Sequence, residues 1–416
     1  MKILITTDTY EPMINGVVES VKNLKRELSM RGHDVRILAL SDDLHSKVIG
    51  DVYYIKSFDI YVYPKARGTI PIERYCRKMI EKWKPDIIHS QTEFFTLTVA
   101  KRIALDLDIP IIHTYHTMYE YYTEYLFKTD KVGKSAAKFL TKHALAYVDA
   151  VIAPTEKVKE VLEKYKIHQP ISVIPTGIDL SGFKNTKNAD FSKINSLKNK
   201  YKITDKEKVM ITVGRIGAEK NLDEILDNLT VFTQTYKDFV WLIVGDGPYL
   251  PTLKSRVLRL NLEKYVKFAG MISHEEVPLY YRMSDLYVNA SISETQGLTY
   301  IEALSSDLPI LCRKDSCLDE IMCEGENGFY FSNQNEFLEK LDKIMQDEKL
   351  RSNMSENASK SAEKYSAAEF AKNVEKAYLE TLRAYHIKRR IRANTLKGKT
   401  AGALRHIKMA VKNKIY

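Results

Sequence analysis

Two glutamates, Glu294 and Glu302 in SETQGLTYIEA (293–303), are the residues of this chain best spaced to hold a polar ligand. The apolar run LYVNAS (286–291) before them reads as a buried parallel strand. Gly297 breaks that strand, and LTYIEALSS reads as an amphipathic helix. A strand feeding a helix through a glycine turn leaves the backbone N–H groups of Leu298 and Thr299 open, a ready anion site. Glu294 falls in the loop before that site and Glu302 about a turn and a half into the helix. One carboxylate would reach a sugar and the other a second polar group of the same ligand, with a phosphate between them. Taken alone, the pair reads equally as a cap and a solvated helix glutamate.

Other strand ends add to this. VGRIGAEKN (213–221) closes an apolar run and delivers Arg215 and Lys220. A guanidinium and an ammonium at this spacing suit a diphosphate, whose charge needs neutralising from two sides. Alone, such a pair is more often part of a surface salt bridge. VGDGP (244–248) is a glycine-rich turn without the GxGxxG spacing and specifies little. In TTDTYEPMINGVVES (6–20), Asn15 and Gly16 enter a helix, again with an exposed backbone N-terminus. Gly16 either lets a ligand approach closely or simply makes a tight turn. HTYHTMYEYY offers His113 and His116 at the end of an apolar run, where histidines are more often core hydrogen-bonders than catalysts.

The elements that must hold these groups follow from the apolar pattern. KILIT, DVRILAL, DIIHS, PIIHT, AVIAP and ISVIP alternate with longer periodic segments in the first half. That alternation predicts a doubly wound α/β domain with a parallel sheet. It restarts with VMITVGR, VWLIVGDG, VKFAG, LYVNAS and PILCR. We expect an N-terminal domain over residues 1–180, a polar linker over 181–208 and a second α/β domain over 209–365. A helix over 366–385 would cross back to the first domain, followed by a basic tail, 386–416. Two such units imply a ligand cleft at the carboxyl ends of their strands.

Composition narrows the function classes. The chain has 416 residues, 44% of them hydrophobic, enough for two packed cores. Its four cysteines show no zinc spacing and read as reduced thiols of a cytosolic protein. No apolar run approaches the roughly 18 residues needed to span a bilayer. The net charge of +10 belongs to the end of the chain. From Arg383 onward there are eleven Lys or Arg and no Asp or Glu, which leaves 53 basic and 54 acidic residues elsewhere. Within that tail, Leu404, Ile407, Val411 and Ile415 make an apolar stripe if helical, flanked by Arg405, Lys408, Lys412 and Lys414. Such a helix suits an anionic lipid surface. A disordered basic tail is the plainer reading, and Gly398 and Gly402 weaken a continuous helix. Nucleic-acid binding is the rival from another class, but the near-neutral body and the shortage of aromatics in the tail argue against it. In KTDKVGKSAAKFLTKHALAYVD (128–149), Lys131, Lys134, Lys138 and Lys142 share one helical stripe, and Ala137, Leu140, Ala144 and Val148 another. The aromatic MYEYYTEYLF just before them suits a lipid interface or a protein core alike.

Taken in order, these segments resemble the retaining nucleotide-sugar glycosyltransferases of the GT-B architecture, glycosyltransferase family 4, over most of residues 1–385. Glu294 and Glu302 match that group's E-x7-E motif, Arg215 and Lys220 its phosphate-binding cations, Asn15–Gly16 its glycine loop and His116 its active-site histidine. HTYHTMYEYYTEY, PTEKVKEVL, SVIPTGIDL and SETQGLTYIEAL resemble more narrowly the bacterial 1,2-diacylglycerol 3-α-glucosyltransferases. The wider group often has Gly-Gly at Asn15–Gly16 and Phe at Gln296; both departures look shared with the lipid branch.

The resemblance implies a donor, UDP-glucose, with its diphosphate on Arg215 and Lys220 and the backbone of Leu298 and Thr299. It implies ribose on Glu302, uracil near Met271, sugar hydroxyls on Glu294, Gly16 beside the donor, and His116 against the sugar or its developing positive charge. It further implies no bound cofactor or metal, a diacylglycerol acceptor, and a cytoplasmic enzyme attached peripherally to the inner face of the plasma membrane. UDP-galactose or GDP-mannose with another lipid or a polysaccharide is the alternative within the group. The sequence carries no mark of oligomeric state.

Overall fold

Runs such as KILITT and FVWLIV are apolar on both faces, so they form strands only where helices cover them from both sides. The computed structural model of the chain describes residues 1–13, 15–60, 67–70, 74–118, 130–184 and 191–412. The first half supplies β1 (Lys2–Thr7), β2 (Asp34–Leu40), β3 (Lys47–Ile49), β4 (Val52–Ile55), β5 (Phe58–Asp59) and β6 (Arg67–Gly68). It continues with β7 (Ile87–Ser90), β8 (Ile111–Thr114), β9 (Ala150–Ala153) and β10 (Ile171–Val173). The second half supplies β11 (Lys208–Val213), β12 (Phe239–Val244), β13 (Val266–Gly270), β14 (Leu286–Asn289), β15 (Ile310–Arg313) and β16 (Gly328–Phe331).

These strands make two principal sheets. The first runs β10-β9-β8-β7-β1-β2-β4-β3, and the second β13-β12-β11-β14-β15-β16; β5 and β6 form a small ribbon apart. All named pairs in the large sheets are parallel except β3 with β4. In each, the order steps outward from a central strand to both edges. That reversal puts a crevice at the carboxyl ends of the central strands. The fold is therefore two Rossmann-like α/β domains.

The chain changes domain twice. After β10 it passes Thr176 and Gly177 to the second domain, and it returns in the long helix Ala367–Lys412. The two crossings touch where Ile178 bridges Ser366. A side chain at 177 would stand 2.5 Å from the Ser366 carbonyl oxygen and 2.6 Å from Phe370 Cβ, so only glycine lets them meet. The returning helix then sends Phe370, Ala371, Val374, Ala377 and Tyr378 into the core beside Ile3, Ile5, Ile37 and Ile112 of the first sheet.

The helix continues in backbone to Lys412, through Gly398 and Gly402, which the sequence marked as weak points. On Asp130–Leu145, Ala137 and Ala144 are buried, as is Val148 beyond its end, but Leu140 is 53% exposed, contrary to the expected stripe. It sits about 60° round the helix from the line of the others. Beside it Phe139 is 70% exposed. Lys142 is exposed, whereas Lys138 is half-buried with its ammonium over the Tyr165 ring. The side chains of Lys131, Lys134, Arg405, Lys408 and Lys412 lie outside the described residues, as does the aromatic stretch beyond Met118.

Candidate active site

The loop that follows β14 is built around its glycine. Gly297 has φ +75°, and a Cβ there would fall 2.3 Å from the ring of the buried Tyr300. The left-handed turn starts the helix Leu298–Ser305 with no side chain capping it. Just before it, Asn289 ends β14 by accepting from the Ser291 N–H (2.7 Å) and donating to Tyr287 (2.9 Å). Tyr287 in turn meets the Thr299 hydroxyl at 2.8 Å. The first turn of the helix is thus tied to the strand below.

Glu294 is not a cap. Its Oε1 accepts from Lys220 Nζ at 2.5 Å, and the two side chains are 14% and 21% exposed. Burial pushes the Glu294 carboxyl up. The Lys220 ammonium, helped by Ser291 and Lys157, pulls harder and holds it below the usual carboxylate range. Lys220 ends the short 3₁₀ turn Ala218–Lys220 after β11. Arg215, at the start of the same loop, pairs with Glu219. Neither expected phosphate cation stands alone here, and the acids opposite them are ones a bound diphosphate would have to share or displace.

Glu302 sits apart from that pair, with its Oε2 accepting from the Tyr281 hydroxyl at 2.9 Å. Burial pushes its carboxyl up, against the Tyr281 hydrogen bond and His274, while Glu19 of the first domain adds to the rise. The two glutamates therefore occupy different electrostatic settings, one cation-paired and one bonded to a phenol.

The first domain closes the other side. Gly16 begins the helix Gly16–Met30, and a Cβ on it would meet Leu298 Cδ1 at 3.4 Å. The backbone N-terminus expected to be open there is occupied: Asn15 Oδ1 accepts from Val17 and Val18, both at 3.0 Å. The carboxamide standing where the wider group has glycine is what fills it. His116, just past β8, meets Gln91 Oε1 through Nε2 at 2.7 Å. Burial, with His113 close by, pushes its pKa down to about 3, so the imidazole is neutral near pH 7. His113 is a core residue, with Nε2 at 3.2 Å from Glu93.

Loops from the two domains meet along 295–296. Thr295 donates its hydroxyl to the His116 carbonyl (3.0 Å) and accepts on its own carbonyl from Thr155 (2.8 Å). Gln296 accepts from the Thr176 N–H at 2.7 Å and donates to the Thr176 carbonyl at 2.9 Å. A phenylalanine, the wider group's residue, could make neither bond. The structure thus brings together Lys220 with Glu294, Gly16 with Leu298, and the His116 backbone with Thr295. Met271 stands 68% exposed just after β13. Glu219 and Tyr281 were not singled out in the sequence; Glu219 carries the one usable signal, an acid four residues after Arg215 in RIGAEK.

Two Rossmann-like domains whose loops meet at the carboxyl ends of their strands, one of them carrying paired cations and carboxylates there, have the GT-B architecture. Residues 14–181 match the family model of Glycosyltransferase Family 4, and residues 193–361 that of Glycosyl transferases group 1. The chain is 37% identical to an alpha-monoglucosyldiacylglycerol synthase of Streptococcus pneumoniae over 78% of its length and 74% of that protein's. It is 32% identical to the alpha-monoglucosyldiacylglycerol synthase of Acholeplasma laidlawii, over 92% of this chain and 98% of the relative. A crystal structure of Anabaena HepE with UDP and glucose shares the fold, with a TM-score of 0.72 at 18% identity, covering 91% of this chain and all of the other. The chain belongs to glycosyltransferase family 4, in the company of the alpha-monoglucosyldiacylglycerol synthases.

Proposed function

We propose that this protein transfers glucose from UDP-glucose to the free 3-hydroxyl of 1,2-diacylglycerol with retention, giving α-glucosyldiacylglycerol and UDP. The bond from the anomeric carbon to the β-phosphate oxygen breaks, and the lipid oxygen bonds to that carbon on the same face. The hydroxyl proton leaves toward the departing diphosphate. The contact between Lys220 and Glu294 carries this reading: it sets a cation for the diphosphate beside a carboxylate for the sugar, in a loop whose Thr295 is bonded to the backbone of a neutral histidine from the other domain.

Arg215 and Lys220 neutralise the leaving UDP, a service worth about 2.7–4 kcal/mol for one well-placed donor, so the reading needs no divalent metal. The N–H groups of Leu298 and Thr299 take phosphate oxygens, and Gly16 lets the donor lie close. Glu302 holds the ribose hydroxyls, and Met271 lies toward the uracil. Glu294 orients the sugar hydroxyls. A neutral His116 does not oppose positive charge growing on the ring, as a protonated one would.

The acceptor brings the enzyme to an anionic membrane at the cytoplasmic inner face. No helix among the described residues is long and apolar enough to cross a bilayer. The ten basic residues from Lys388 onward, and Lys142 beside the exposed Phe139, Leu140 and Tyr147, support surface attachment. The test is purified protein with UDP-[14C]glucose and diacylglycerol in anionic vesicles. Labelled glucosyldiacylglycerol is expected; its absence, or faster transfer from UDP-galactose or GDP-mannose, would sink the assignment.

A further inference from the structure

Lys157 comes from the first domain, at the start of the helix Glu156–Lys164, yet its ammonium reaches across to the second. Its Nζ stands 2.7 Å from each carboxylate oxygen of Asp315, 3.3 Å from the Ile292 carbonyl and 3.2 Å from the Glu294 carbonyl. An ammonium has three hydrogens to donate, and these acceptors use them all. The Lys157 and Asp315 side chains are 11% and 6% exposed, so the ion pair is largely out of water. The two carbonyls flank Ser293, whose hydroxyl donates in the opposite direction to the Glu219 carbonyl at 3.4 Å. Asp315 is itself fixed by the Cys317 N–H at 2.8 Å. Together with the Thr176 bonds to Gln296, the loop 292–296 is shaped by donors and acceptors brought from across the interdomain crevice.

We propose that Lys157 is a positioning residue for glucosyl transfer: carried by one domain, it fixes the backbone of the other domain's loop so that Glu294 faces Lys220. The proposal rests on the transferase reading given above. Lys157 acts through the loop: its ammonium is taken up by Asp315 and by the Ile292 and Glu294 carbonyls. Its work is to make the shape of the Glu294 loop depend on the approach of the two domains. A catalytic carboxylate misplaced by about 1 Å costs on the order of 100-fold in rate, so loss of this anchor falls on turnover. Donor affinity depends chiefly on other groups, namely Arg215, Lys220, Glu302 and the helix start.

The test uses the full chain with three replacements, Lys157→Met, Lys157→Arg and Asp315→Asn. Steady-state rates with UDP-glucose give kcat and KM, calorimetry gives UDP affinity, and hydrogen exchange follows the amides of 292–297. For Lys157→Met, kcat falls about 30- to 100-fold while KM for the donor and the UDP Kd stay within about threefold. The 292–297 amides exchange at least about tenfold faster. Lys157→Arg keeps the charge toward Asp315 and recovers part of kcat and part of the protection. Asp315→Asn, which leaves the carbonyl contacts available, shows a smaller loss of the same kind and keeps the idea testable if Lys157→Met does not fold. Unchanged kcat in both non-conservative variants overturns the proposal. So does a loss of kcat with wild-type protection of 292–297, or a loss shared equally by UDP affinity. If the wild-type protein makes no glucosyl lipid at all, the transferase reading falls, and the exchange arm still decides whether Lys157 holds the loop.

Discussion

Replacing Lys220 with methionine strands a carboxylate. Glu294 stays only 14% exposed, and the ammonium 2.5 Å away is gone. Removing one partner of a buried pair costs about 3–5 kcal/mol, and the modest exposure of both side chains puts this pair near the lower end, about 3 kcal/mol. For a cooperative unit of about 150–250 residues that is a fall in Tm of about 6–12 °C. Adding Glu294→Gln discharges the stranded group, so the double variant should recover most of the loss, although neither variant transfers glucose. The pH dependence has a definite sign. In the native protein the Glu294 carboxyl titrates below its unfolded value, so its contribution is complete above about pH 4.3 and fades as the pH falls through the lower folded value. Without Lys220, burial, the largest cause, is opposed only by Ser291 and Lys157 and lifts the folded pKa above the unfolded one, so acidification restores stability. Calorimetric scans of all three proteins from about pH 7.5 to pH 5 should show the gap between Lys220→Met and wild type narrowing toward acid. A double variant as unstable as the single one, or a gap that does not change with pH, would refute the reasoning.

Glu302→Ala should chiefly raise KM for UDP-glucose, by about 10- to 100-fold for the loss of a charge-assisted hydrogen bond, whereas Glu294→Ala should chiefly lower kcat. The reverse pattern in steady-state kinetics would show the two ends of the motif to be exchanged. Gly297→Ala forces φ +75° on an alanine and drives its Cβ into the buried Tyr300 ring, and should cost about 2–4 kcal/mol by denaturant unfolding. A variant within about 0.5 kcal/mol of wild type would show that the turn adjusts freely. Removing residues 386–416 should weaken sedimentation with anionic vesicles about 100-fold if only three of its basic residues reach the surface. UDP-glucose binding should be unchanged, since the ion pair it removes among the described residues, Arg389 with Asp108, is exposed. Equal loss of both would mean that the tail is part of the fold.

The parallel sheets could be read from the chain because apolar runs such as FVWLIV, buried along their whole length, leave few alternatives to a covered strand. The helix start at Leu298 was equally visible, since a glycine between a strand pattern and a helix pattern has few other uses. The partners of the site residues were not visible. Tyr281 reaches Glu302 across 21 positions, and Lys157 reaches Asp315 across 158. No local periodicity links residues that only the packing of two domains brings together. Leu140 shows the limit even within one helix: a 3- or 4-residue step does not say which edge of the stripe the core covers. Gln296 stood out as a departure from the wider group, but its two bonds to Thr176 depend on a backbone segment 120 positions away.

The helix that returns at Ala367 has a consequence for the order of synthesis. The first sheet is made early, yet part of its core, Phe370, Ala371, Val374, Ala377 and Tyr378, is made only after the whole second domain. At about 5–20 residues per second, the roughly 200 residues between the hinge and that helix keep the first domain waiting about 10–40 s with one face of its sheet covered only in part, by the helix Gly16–Met30. The second domain, whose strands are contiguous in the chain, can finish folding in that interval. The first domain is therefore the last to become whole, and a chain stopped before the returning helix carries only the second domain complete.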